Sequence, residues 1–192
     1  MNDSGVWAAT DLRARIDRGI AEFPEAAQLP NSSKTAPFVI VGDEGFGMKP
    51  YKMRPFPASE LEDAERIFNY RLSRGHRIVE NGFGILRNRF QVYGAPLRHK
   101  PDRAVKVVKA TIALHNYFRT KNSTRARYTP PDSLDVKDVL TGNCKKGVND
   151  KAVFPQERIG GRQPDDAKAV REVFRNYFMN EGQVSCQWKL LE

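Results

Sequence analysis

Asp43 and Glu80 are the two acids whose settings in this sequence suggest chemistry. The stretch FVIVGDEGF, residues 38–46, is an apolar run that stops on Asp43. Open α/β sheets place ligands just past the C-terminal ends of their strands. A carboxylate at that point is either such a ligand or the turn former that Asp commonly is. Glu80 is the only acid among the basic residues from Arg66 to Pro101. On a helix advancing about 100° per residue it lies at the border of an apolar stripe, sharing its side with Ser73, Arg77, Gly84 and Arg87. Two readings stand for it: a surface Glu paired with Arg77 or Arg87, or a functional acid.

The charge around Glu80 points to a polyanion. The chain of 192 residues carries a formal net charge of +9. Between Arg66 and Lys109 there are eleven Lys or Arg, opposed only by Glu80 and Asp102, so this segment holds the whole excess. Such concentration is the footprint of a nucleic-acid-binding surface; a solvated basic face without a partner is the bland alternative. With 40% hydrophobic and 29% charged residues, the composition is that of a soluble globular domain rather than a disordered or fibrous chain. No run approaches the roughly 18 apolar residues of a membrane span, so no membrane partner is expected. The N-terminal MNDSGVWAATDLR lacks a basic region followed by an apolar core, and no secretory signal is visible. Cys144 and Cys186 match no metal spacing and fit a reducing compartment.

These residues must be positioned by a small set of elements. Residues 10–23 form an expected amphipathic helix capped by Thr10. Pro37 to Gly42 reads as a short buried strand, and Pro50, Pro55 and Pro57 keep the next stretch extended. Ser59 with Glu62 forms a capping box that opens a helix to about Arg74. Gly75 marks an expected kink, beyond which residues 76–90 are helical with Val79, Phe83, Leu86 and Phe90 on one buried stripe. Pro101 and Asp102 start a helix to about Arg119, with Val105, Val108, Ile112 and Tyr117 among its apolar positions. Residues 120–163, poor in aliphatics, read as a mobile linker. Asp165 and Asp166 seed a last helix over 165–180, stopped by Gly182. One confident strand cannot make a sheet.

The order and wording of these segments carry a resemblance. "VGDEGF", "PFP", "ERIFNYRLSRGHRIVENGFGILRNRFQVY" and "IALHNYF", with "NDSGVWAATDL" before them and "AKAVREVFRNYFMNEGQVSCQW" after, resemble the endonuclease domain of Harbinger-type transposases and the nucleases descended from them, within the DDE superfamily. The resemblance implies an α/β fold of the ribonuclease-H-like kind, here partial and mostly helical with few strands. It implies an endonuclease domain over residues 1–119, a flexible linker over 120–163 and a C-terminal helical tail over 164–192. Of three catalytic carboxylates in the family, the second ends a strand in a Gly-Asp motif, matched by Asp43. The third lies in an Arg-x-x-x-Glu-x-x-Phe-Gly motif, matched by Glu80 with Phe83 and Gly84; His76 stands where the family has Arg or Ala. The first is expected on a strand upstream of Met1, so the chain as given is expected to hold two of the three acids and to cut DNA poorly.

The implied reaction is phosphodiester cleavage with Mg²⁺ or Mn²⁺ as cofactor. Two such ions about 4 Å apart activate water and neutralise charge on the attacking and leaving oxygens, and hard cations take carboxylate oxygens. Asp43 and Glu80 are the implied metal ligands. Arg71, Arg74, Arg77, Arg87 and Arg89 are the expected contacts to DNA phosphates. The resemblance further implies a separate DNA-binding partner protein of the same transposable element, and a nuclear location with the cytoplasm as second choice. A rival reading is a non-catalytic remnant that binds nucleic acid or protein through the basic surface. An unrelated helical RNA-binding protein is a third, lacking any recognition motif.

Overall fold

A computed structural model of the chain describes residues 3–130, 136–137, 144–145 and 163–191. It is mixed α/β, mostly helical, with strands of only two residues each. Two compact units are present. Among the described residues, the first contains 3–76 and 163–191, the second 77–130 with 136–137 and 144–145.

The first unit opens with helices α1 (Asp3–Ala8) and α2 (Asp11–Asp17). Thr10 caps α2 as its side chain accepts from the Arg13 N–H at 3.2 Å. The helix stops at Asp17, short of the expected Phe23, and Gly19 at φ 68° turns the chain away. Strands β1 (Ala27–Gln28) and β2 (Thr35–Ala36) pair antiparallel. β3 (Ile40–Val41) then pairs in parallel with β4 (Lys52–Met53), and the ladder extends through Ile40 N–H to Tyr51 O and Gly42 N–H to Met53 O, both 2.8 Å. Of the buried strand expected at 37–42 only Ile40–Val41 forms, half-buried and with Phe38 50% exposed, and its partner lies in the proline-rich stretch. The apolar core gathers Met48, Met53, Phe56, Phe68, Leu72 and Ala167, with Val39, Val41, Phe174 and Phe178 packed against it. Ala167, Phe174 and Phe178 belong to α6 (Asp165–Met179), so the C-terminal helix enters this core.

Helix α3 (Asp63–Arg89) runs unbroken through Gly75, where a kink was expected. One Gly in a helix costs about 1 kcal/mol, too little to break 27 residues of continuous ladder. The missing Cβ of Gly75 faces Val41 at 3.9 Å, so this face lies against β3. The start also differs. Glu60 has φ 51° and cannot be helical, and the cap moves three residues on, where the Glu62 N–H donates to Glu65 Oε2 at 3.2 Å.

Asn69 of α3 ties down the proline-flanked Phe56. Its Oδ1 accepts from Phe56 N–H at 2.7 Å and its Nδ2 donates to Phe56 O at 3.0 Å. Leucine at 69 leaves both backbone groups unpaired beside a buried ring. Asn69→Leu is expected to cost about 1–3 kcal/mol, read as a lower urea midpoint at unchanged slope. A wild-type midpoint would show that the clamp holds nothing.

In the second unit the stripe expected to be buried divides. Leu86 is buried beside Ile85, Phe90 is half-buried, but Val79 and Phe83 stay 54% and 63% exposed. A 3-10 turn (Gln91–Gly94) leads to α4 (Pro101–Thr120), which starts on Pro101 at its first turn as expected. Of its apolar positions, Val105, Ile112 and Tyr117 are 51%, 42% and 50% exposed, while Thr111 is buried. Thr111 bonds to the Tyr93 hydroxyl. α5 (Asn122–Tyr128) forms within the stretch expected as linker, its Tyr128 ring stacked on Phe118 at 5.3 Å. Two-residue strands β5 (Val136–Lys137) and β6 (Cys144–Lys145) pair antiparallel; the rest of 131–162 lies outside the described residues.

Candidate active site

β3 ends on Val41, and Asp43 follows past a buried Gly42. The chain then folds back sharply. Asp43 Oδ1 accepts from Gly45 N–H at 2.9 Å, and Asp43 O accepts from Phe46 N–H at 3.2 Å. A Cβ on Gly42 would meet the Phe46 ring at 3.3 Å, so glycine lets that ring close over the strand end. The buried Arg54, immediately after β4, donates from Nη1 to Phe46 O at 3.4 Å. Asp43 thus forms a turn, one of the two roles its position allowed. The same turn fixes the carboxylate at the strand end and consumes one of its roughly four acceptor sites. Turn former and ligand are compatible here.

Glu80 lies in the second unit, exposed on α3, with Arg77 and Arg87 partly exposed on the same helix. The other three arginines singled out by the sequence have defined intramolecular partners. Arg71 Nη1 donates to Gly182 O at 2.7 Å and Gln187 Oε1 at 3.4 Å, and its guanidinium lies 4.6 Å from the centre of the Phe178 ring. Burial, then the neighbouring Arg74, pushes its pKa down. Arg74 Nη1 contacts Cys186 Sγ at 3.4 Å, and its guanidinium lies 5.8 Å from the Tyr70 ring centre. Arg89 donates to Tyr128 O at 2.8 Å and Arg127 O at 3.2 Å, joining the end of α3 to α5. A count of charges cannot reveal these roles, because the hydrogen-bond partners lie 38 to 116 residues away in sequence.

His115 and Tyr128 bond at 3.0 Å in the second unit, where burial, then Arg119, lowers the imidazole pKa. Among the described residues no group of three or more His, Cys, Asp or Glu is placed to hold a metal ion. No described helix is long and apolar enough to cross a membrane.

Sequence reasoning missed Asn69, which holds Phe56 beyond β4, and Arg54, which holds the Phe46 carbonyl just after Asp43. An Asn inside a helix was the available signal for the first, since a mid-helix amide often bonds elsewhere. Nothing local marked the second.

A family model matches more than half of the chain. The profile of the DDE superfamily endonuclease matches residues 1–116, a span that includes Asp43, Glu80 and the five arginines. No curated protein and no solved structure matches. With an acid fixed at a strand end, a second acid on a basic helix, and that match across both, the chain belongs to the DDE superfamily of endonucleases.

Proposed function

We propose that this chain is a metal-dependent, transposase-derived nuclease of the Harbinger type that acts on DNA in the nucleus, with Asp43 and Glu80 as metal ligands. The observation that carries the proposal is the turn at Asp43: a carboxylate pinned at the C-terminal end of a strand in a parallel pair, inside the family-matched span. The donor chemistry fits Mg²⁺ or Mn²⁺, since both residues are carboxylates and Asp43 keeps acceptor sites beyond the one that Gly45 uses. When bound, such ions supply an activated water and neutralise the charge that builds on the phosphate. The residues of the chain do the rest. Asp43 is oriented by its turn, Glu80 is carried on a continuous helix, and Arg77 and Arg87 on that helix pair with DNA phosphates. A second, DNA-binding protein of the same element supplies sequence choice, because phosphate contacts position a protein on DNA without specifying a sequence.

Binding to duplex DNA is therefore expected to be salt-dependent and nearly indifferent to sequence. Replacing Arg77 and Arg87 together with Ala should weaken binding and flatten the slope of log K against log salt by about 1 for each lost phosphate contact. Fluorescence anisotropy at several salt concentrations measures this. An unchanged slope would remove both residues from the contact surface.

A further inference from the structure

The first unit also encloses cationic groups that the nuclease reading does not use. Arg171 of α6 is only 7% exposed, and its Nε and Nη1 are buried without a hydrogen-bond partner. Its guanidinium carbon lies 3.7 Å from the centre of the Phe56 ring, a cation–π contact. Arg54, 9% exposed at the end of β4, and Arg175, one turn along α6, are its like-charged neighbours. Arg175 has a buried Nε with no partner as well. Two acids face the group, Glu172 and Glu65. Glu172 is taken up by Arg175 Nη2 at 2.8 Å, and Arg175 Nη1 reaches the exposed Glu62 at 4.0 Å.

Guanidinium does not lose its proton in proteins, and a buried charge with open donors is costly unless an anion meets it. Open buried donors in a native fold call for a water, an ion or a ligand. The open donors are Nε and Nη1 of Arg171 and Nε of Arg175, and planar N–H donors of this kind suit phosphate. The cluster has a way in, because the side chain of Arg175 is 26% exposed and pairs with Glu62 at the surface.

We propose that Arg171, with Arg54 and Arg175, forms an oxyanion site that takes a phosphate group, either free inorganic phosphate or the terminal phosphate of a DNA strand. Arg54 also holds the Phe46 carbonyl of the Asp43 turn. The ring and ion-pair contacts of Arg171 and Arg175 are with Phe56, Glu62 and Glu172 rather than with either proposed metal ligand, and the proposal stands whether or not the chain cuts DNA.

Thermal melting of the full chain at constant ionic strength, with chloride exchanged for inorganic phosphate, tests it. A saturable rise of about 5 °C is expected once phosphate reaches a hundredfold excess over half-saturation. Arg171→Met keeps the apolar stem and removes the charge. It is expected to melt at or above the wild type without phosphate and to lose the phosphate response. If Arg171→Met does not fold, Arg54→Met is expected to weaken the response at least tenfold. Short oligonucleotides with and without a 5′-phosphate separate the two sources: a response to the phosphorylated one alone assigns the DNA terminus, and a response to inorganic phosphate alone assigns the free ion. A wild type with no saturable response to either, or an Arg171→Met chain that keeps the full response, would overturn the proposal.

Discussion

Truncating Phe68 to alanine is expected to destabilise the protein by about 3–5 kcal/mol, whereas Phe83→Ala should change stability by no more than about 0.5 kcal/mol. The two residues lie on the same helix, and from the sequence Phe83 is the one expected in a core. Phe68 is 0% exposed, packed edge-on against Phe56 at 5.3 Å and against Phe178 at 6.0 Å. Its removal opens a cavity between α3, the segment after β4, and α6. These are held by other contacts too, among them the Asn69 clamp and the Arg71 bonds to Gly182 and Gln187, so they cannot simply collapse inward. Phe83 is 63% exposed and leaves no cavity. Urea unfolding of the two variants reads the contrast directly. Similar losses in both would mean that the Phe83 face is covered in the folded protein and that the division of α3 given above is wrong.

The same contrast shows what the sequence made legible. Elements with strong local signals were readable: Thr10 as a cap, Pro101 and Asp165 as helix starts, and the apolar run ending at Asp43. Spacing identifies residues that share a side of a helix, and Val79, Phe83 and Leu86 do share one. Spacing does not say what lies opposite, so it could not divide that stripe into exposed and buried parts. Strand β4 was hidden because Lys52 and Met53 sit among prolines and form only two ladder positions. The entry of α6 into the core was out of reach for a different reason. Ala167 shares a core with Met53 and Phe68, about a hundred residues earlier, and no local pattern encodes that distance. Of the candidate site, residue types and the strand-end position of Asp43 were legible. The local turn at Asp43 was one of the two roles that the sequence allowed, whereas the packing of Arg71 against Phe178, about a hundred residues away, appeared only in the structure.

Loss of the carboxylate at position 43 is expected to have the largest functional effect. Asp43→Asn keeps the size of the side chain and an oxygen able to accept from Gly45, so the turn and the fold should persist. What disappears is the negative charge, and with it most of the attraction for a hard divalent cation. Glu80→Gln makes the same change on α3. Any Mg²⁺- or Mn²⁺-dependent nicking of plasmid DNA by this chain should fall by about a hundredfold or more in either variant, since the weakened metal no longer activates water or positions the reacting groups. The melting temperatures of both should stay near the wild-type value, which separates loss of the site from loss of the fold. The central claim is that these two carboxylates hold the metal, and Mn²⁺ binding followed by electron paramagnetic resonance tests it without relying on turnover. The wild-type chain is expected to bind Mn²⁺ saturably, and Asp43→Asn and Glu80→Gln each to weaken that binding at least tenfold. Equal Mn²⁺ affinity in the wild type and both variants would contradict it.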